Sequence, residues 1–145
     1  MSKLSWMAGI GLAAVALWTL ILSGPAAGQI HQGKTRPLKT EHLMEGLVAP
    51  NCGGLKKDLE AGPADKKAWD HVAMKAELLN EASYILMADG RCPDGVWAGA
   101  AKTLRQYSGE VLKAVQDKNA AQAKTAFASM TKACAACHKA HRKKH

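Results

Sequence analysis

Residues 119–142 read NAAQAKTAFASMTKACAACHKAHR. Ala120, Ala123, Phe127, Met130, Cys134 and Cys137 recur in steps of three and four, the period of one face of an α-helix. At the end of that face stands Cys134-Ala135-Ala136-Cys137-His138. Cys-x-x-Cys-His is the attachment signature of c-type haem. Two thiols add to the haem vinyl groups, and the next residue offers an imidazole to the iron. On a helix the three side chains sit at i, i+3 and i+4 and project from one side. The stretch predicts a long final helix carrying one covalently attached haem c, with Cys134 and Cys137 as anchors and His138 as metal ligand.

Two other uses of the motif fit less well. A thioredoxin-like dithiol sits at a helix start inside a βαβ unit, whereas this one closes a long helix. A zinc ion would need a further ligand, and adjacent Cys137 and His138 converge poorly on one tetrahedral centre.

Upstream, the rest of the chain reads as helix; alanine, leucine, lysine and glutamate dominate, and no strand-like alternation of any length occurs. A first helix is expected over 37–59, with Met44, Leu47, Val48, Leu55 and Leu59 on its apolar stripe. Pro50 interrupts it, and its ring would press on the carbonyl of Gly46, so this helix is expected to kink near 46–50 or to form as two pieces. Gly62 and Pro63 mark a loop. A second helix is expected over 64–88, with Trp69, Val72, Ala76, Leu79, Ala82 and Leu86 on one face. Residues 89–93 end it and Asp94 can cap a third, carrying Trp97, Ala100, Leu104, Tyr107, Val111 and Val115. A turn at 117–119 leads into the fourth, where Asn119 with Gln122 resembles a capping box. Four such helices with short connections predict an all-α, up-down-up-down antiparallel four-helix bundle over 37–145. The start of the first helix then lies beside the end of the last.

The N-terminus reads as a secretory leader. Lys3 precedes an apolar run over 7–22, Gly24 and Pro25 break it, and Ala26-Ala27-Gly28 offers small residues for cleavage before Gln29. The run is shorter than the roughly 20 residues a bilayer span requires, so residues 1–28 are expected to be removed, leaving no stable membrane span; an uncleaved anchor is the competing reading. Export to the periplasm agrees with where haem is joined to such motifs in bacteria. Residues 29–36 look like a loose, flexible lead. The remainder is one domain, long enough for a single core.

The whole chain carries a formal charge of +8. Lys139, Arg142, Lys143 and Lys144 cluster at the end, where cations suit a helix dipole or would offer a docking patch to an acidic redox partner. Nucleic-acid binding fits poorly, because the few aromatics fall among apolar helical positions. Beyond the leader these are Trp69, Trp97, Tyr84, Tyr107 and Phe127. A core so rich in alanine would be thin, and a buried haem would supply flat apolar bulk.

The sixth iron position decides the chemistry. Met44 lies about two turns into the first helix, level with His138. It would either ligate the iron or pack beside an open site. His42 sits about 200° from Met44 around a helix and points away if Met44 points in. Met74, Met87 and Met130 read as core or surface residues, and His31, His71, His141 and His145 as solvated ones. Cys52 and Cys92 match no metal spacing. In an oxidising compartment they are expected to pair as a disulfide, the alternative being two separate buried thiols.

These residues resemble the class II c-type cytochromes, the monohaem four-helix bundles that include cytochrome c-prime and its low-spin, methionine-ligated relatives. The resemblance spans about 40–142. It rests on the Cys-x-x-Cys-His motif at the very end of the last helix and on Arg142 four residues beyond His138. Pro93 to Trp97, and Asn51-Cys52-Gly53-Gly54-Leu55 beside that family's Asn-x-Gly-x-Leu stretch, support it. It implies that Arg142 lies near the haem and His138. The chain departs from the family at several points. His141 stands where an aromatic often precedes the Arg. Thr40 stands where an Arg usually lies one turn before the distal residue. Pro50 is unusual, and the spacing from Met44 to Asn51 is one residue long.

The sequence therefore predicts an exported one-electron carrier and no enzyme, its iron held by His138 and Met44. The alternative is a five-coordinate protein that binds nitric oxide or carbon monoxide. A third possibility is a non-haem structural or metal-binding helical module. The expected partner is a redox protein, acidic in character, with a diatomic gas or a second copy of the chain as further candidates.

Overall fold

The computed structural model describes residues 33–142. The expected leader and its cleavage point, residues 29–32 with His31, and Lys143, Lys144 and His145 lie outside the described residues.

Among the described residues the chain is all-helical, with no strand. α1 (Thr40–Leu43) runs through a π-helical stretch, Met44–Val48, into α2 (Ala49–Ala61). These three form one arm. α3 (Lys66–Met87), α4 (Gly95–Gln116) and α5 (Ala120–His141) form the other three. Each arm packs on its predecessor, and α2 also meets α5. Connections this short between packed helices make neighbours antiparallel. The starts of α1 and α4 and the ends of α3 and α5 therefore share one end of the bundle.

The helix starts follow from side-chain caps. The Asp65 carboxylate accepts from Ala68 N at 2.8 Å, Asp94 from Trp97 N at 2.9 Å, and Asn119 from Gln122 N at 3.0 Å. The capping box at Asn119 is only half formed, because its own N–H donates to the Ala114 carbonyl at 2.8 Å. α2 stops at Gly62, whose φ of 79° favours a residue without a side chain.

The first arm departs from a plain kink. Leu43 and Leu55 are both buried. In an unbroken α-helix they would lie about 120° apart. A π turn absorbs one extra residue in the same angular span, which brings them within about 20° of each other by the same periodicity. Ala49 N donates to Met44 O, the i→i−5 bond of that turn. Pro50, near the N-terminus of α2, has no N–H to offer Gly46, so it cannot complete the tighter bond that would compete. The Asn51 amide then donates to the Leu47 carbonyl at 2.7 Å.

The core stripe on α3 is as expected, with Trp69, Val72, Ala76, Leu79, Ala82 and Leu86 all buried. On α4 the face is rotated. Ala101, Ser108 and Ala114 are buried, while Ala100, Tyr107 and Val115 are only partly covered. The reason is a polar seam that apolar periodicity cannot see. Asn80 Nδ2 on α3 donates to Ser108 Oγ and to the Arg105 carbonyl, both at 2.8 Å. Ser108 Oγ in turn donates to the Leu104 carbonyl at 2.7 Å. With its polar atoms satisfied, a serine costs little to bury.

The lead is not loose over its described part. Lys34 N donates to the Asp89 carbonyl at 2.9 Å. Thr35 N and Oγ1 donate to Asp89 Oδ1 at 3.0 and 2.7 Å, and Arg36 N to Oδ2 at 2.9 Å. Asp89 sits at φ 59° in the turn after α3, a left-handed position that an aspartate tolerates better than most residues. Its carboxylate is thereby held below the ordinary carboxylate range, chiefly by the Thr35 hydroxyl and then the Arg36 amide. Arg91 Nη2 completes the tie by donating to the Leu38 carbonyl at 2.8 Å.

Candidate functional site

At the end of the bundle where α1 and α4 start and α3 and α5 finish, a small solvent-open cleft lies between the helices. α5 contributes Cys134, Cys137 and His138; the first arm contributes Met44 and Val48. Leu86, Trp97, Ala100, Ala101 and Leu104 supply the rest of the wall from α3 and α4. Every wall residue outside the motif is apolar. Helical spacing does for the motif what the sequence requires, since one face of α5 delivers both thiols and the imidazole to one cavity.

Trp97 is a fixed wall. It is buried, and its Nε1 donates to the Leu86 carbonyl at 2.7 Å, so indole packing and polar satisfaction are met together. The ring of His141 meets it edge-on, with centroids 5.6 Å apart and planes at 79°. The His141 side chain is only 5% exposed, and its Nε2 lies 3.4 Å from Asp94 Oδ1. His141 is thus a packed residue and not a solvated one. Its ring packs as an aromatic would.

The environment acts on the thiols. Burial, and second the neighbouring Cys52, push the Cys134 thiol up to about 11. Burial, with the Asp94 charge behind it, raises Cys137. Burial raises Cys52. All three stay protonated at neutral pH and act as apolar wall or lining until a reagent enters.

The expected Cys52–Cys92 disulfide is not formed: all four cysteines are free thiols. The reason is direction. Cys92 Sγ lies 3.4 Å from the Asp94 carbonyl in the α3–α4 connection. Cys52 instead lies within electrostatic reach of Cys134 across the α2–α5 contact.

Of the other sequence-predicted residues, Met44 is partly buried and lines the cleft, whereas His42 is exposed. His71 is exposed. Met130 is wholly buried core, and Met74 and Met87 are surface residues. Arg142 is exposed and outside the cleft wall; its N–H donates to the His138 carbonyl at 3.0 Å, so it ends α5. Sequence reasoning missed His141, Trp97 as a cleft wall, and Asp94 as their partner. The i+3 step from His138 to His141 was the available signal.

The donor set fits a haem attached through two thioethers: two adjacent thiols, one imidazole, one thioether from another helix, and otherwise apolar walls. Among the described residues no group of three or more His, Cys, Asp or Glu side chains is placed to hold a metal ion by itself. No helix among them is long and apolar enough to cross a membrane. Compared with known proteins, the chain matches no family model, no curated protein and no solved structure.

Proposed function

We propose that the protein is an exported, periplasmic monohaem c-type cytochrome of the class II kind, carrying one electron at a time. The observation that carries this reading is that Met44 and His138, from two different arms, line one apolar cleft with Cys134 and Cys137. When bound, the group supplies a ferric–ferrous couple at its iron.

The chain's residues have distinct parts in this reading. Cys134 and Cys137 would hold the group through two thioethers, each formed by adding S–H across a vinyl double bond, so that no atom or electron is left over. His138 would supply an imidazole to the iron, and Met44 a soft thioether, a ligand that raises the potential in cytochromes that carry it. Leu86, Trp97 and Leu104 would give the group apolar walls on one side, which favours the less charged oxidation state. A docked acidic redox protein receives or delivers the electron.

The apolar wall formed by Val48, Ala100 and Leu104 also suits a small uncharged gas. The second reading is therefore a five-coordinate site in which Met44 packs beside an open position and nitric oxide or carbon monoxide binds.

An absorption spectrum of protein matured in a cell that attaches haem separates these readings. Sharp ferrous α and β bands, lost in Met44→Ala, support the carrier. A broad high-spin spectrum with rapid carbon monoxide binding supports the gas site. No Soret band leaves a non-haem helical module.

A further inference from the structure

Haem attachment would use Cys134 and Cys137 and leave Cys52 and Cys92 as thiols. Cys52 lies on the first arm, where the π turn decides which way it faces. In an unbroken α-helix Met44 and Cys52 would lie about 80° apart. With one residue absorbed by the π turn over Met44–Val48 they fall within about 20° of each other. Cys52 therefore continues the face that brings Met44 and Val48 to the cleft, one turn further into the bundle than Val48. There it is partly buried and packs against the core. Cys134 lines the same cleft from α5, which meets α2. The two arms are antiparallel, and every Cα–Cβ bond tilts toward its own helix N-terminus. Cys52 thus leans toward the cleft, and Cys134 leans away from it toward Met130, whose carbonyl lies 3.6 Å from the Cys134 Sγ. The two thiols approach each other between the levels of Val48 and Met130. After burial, Cys52 is the strongest influence on the Cys134 thiol, ahead of Cys137 in the same motif.

We propose that Cys52 and Cys134 are a redox pair in the chain that has not yet received haem: a disulfide-bearing oxidant closes them to a cross-helix disulfide, and a dithiol reductant must reopen it before Cys134 can form a thioether. The pairing stands on helix geometry, and its effect on attachment rests on the haem reading. In the first step one protein thiolate attacks a sulfur of the oxidant and expels a thiolate. The second protein thiolate then attacks the protein sulfur of the mixed disulfide and expels the other half. Two electrons and two protons leave the pair, and the oxidant becomes two thiols. The bridge and the thioether exclude each other, because the one Cys134 sulfur cannot make both bonds. Cys137 is a poorer partner for Cys134 in the folded chain: the two side chains tilt the same way along one helix, so the gap between them stays open.

The test uses the full chain made in cells that do not attach haem, with glutathione disulfide as oxidant. Free thiols are blocked with N-ethylmaleimide, and linked peptides are mapped by mass spectrometry. In the folded chain a Cys52–Cys134 link is expected in about tenfold excess over any other, with Cys92 and Cys137 recovered as the blocked thiols. In denaturing urea the shortest loop closes most readily, so the main product is expected to change to Cys134–Cys137. A folded-chain map dominated by Cys134–Cys137 or by Cys52–Cys92, or a map that urea leaves unchanged, would overturn the proposal. Matured protein treated in the same way is expected to keep the haem mass and to show no internal link from Cys52; a Cys52–Cys134 link in molecules that also carry thioethers at both motif cysteines would contradict the exclusion. The two readings fail separately. A chain that closes this bridge but never carries the haem mass refutes the carrier reading and leaves the pair standing, whereas a chain that carries the haem mass but never closes the bridge refutes the pair alone.

Discussion

His141 Nε2 lies 3.4 Å from Asp94 Oδ1, while the His141 ring packs edge-on against Trp97. The carboxylate that caps the start of α4 thus also receives the end of α5, and the last turn, which bears His138, is clamped to the cleft wall. The His141 Nε2 is buried without an aligned hydrogen-bond acceptor, so ring packing carries more of this contact than polar pairing. His141→Ala is expected to lower stability by about 1 kcal/mol, the scale of an aromatic pair. His141→Phe should retain most of it. Urea midpoints of the two variants check this, and an unchanged midpoint in His141→Ala would show that the clamp holds nothing.

Acid should release the same end of the molecule. The Asp94 carboxyl is held below its ordinary value chiefly by the Trp97 N–H; burial opposes this, and His141 adds a lesser lowering. Asp89 is lowered by Thr35 and Arg36. A carboxylate with a depressed folded-state pKa stabilises the fold above the unfolded-state pKa, and that contribution is lost as pH falls through the folded-state value. The loss is therefore expected below about pH 4. Asp94→Asn keeps a capping oxygen but should flatten this part of the pH–stability curve. Chemical denaturation from pH 2 to 6 (a range set by ordinary carboxylate titration) measures the difference; parallel curves for wild type and variant would count against it.

Thiol reactivity should follow burial. In protein lacking any attached group, iodoacetamide is expected to modify Cys134 and Cys137 far more slowly than in the unfolded chain, since Cys134 is pushed up to about 11, Cys137 is buried and raised, and the thiolate is the nucleophile. Four thiols should react in the unfolded, unreduced chain, and only Cys52 and Cys92 once haem is joined. Peptide mapping that finds Cys52 linked to Cys92 would contradict the structure.

The π turn makes a counter-intuitive prediction. Deleting Gly46, where an added Cβ would meet nothing within 4 Å, should leave a continuous α-helix with Leu43, Met44 and Leu55 still in phase. Stability should fall only modestly, because the Pro50 ring then presses on the Glu45 carbonyl. Inserting an alanine after Gly46 asks the turn to absorb a second residue and should rotate Met44 away by about 100°. Thermal melts and the spectrum of matured protein read both variants. A deletion more damaging than the insertion would show that the wide turn has a different cause.

Much of the bundle was readable because local signals agreed with one another. Asp94 and Asn119 sit where caps belong, the α3 stripe keeps an unbroken period, and Gly62 stops α2. The cleft was half readable: antiparallel order put Met44 level with His138, and helical spacing turned His42 outward. What escaped has physical causes. Ser83 and Ser108 are buried through hydrogen bonds across α3 and α4, and a polar residue with a partner looks, in sequence, like a surface residue. His141 hides because an imidazole against Trp97 reads as an ordinary titrating side chain. The lead is held by a single left-handed aspartate 53 and 54 residues away from its partners, a separation that local patterns do not encode. Pro50 marked the first arm as irregular, but only backbone geometry shows that the irregularity is a π turn over Met44–Val48.

The proposed chemistry depends on Cys134 and Cys137 holding a porphyrin covalently. Intact-mass analysis of protein produced in cells able to mature c-type cytochromes tests this most directly. The expected result is an increment of about 616 daltons, the mass of haem, over the processed polypeptide, abolished by Cys134→Ala with Cys137→Ala. A mass equal to the polypeptide alone, from cells that mature a control cytochrome, would contradict it.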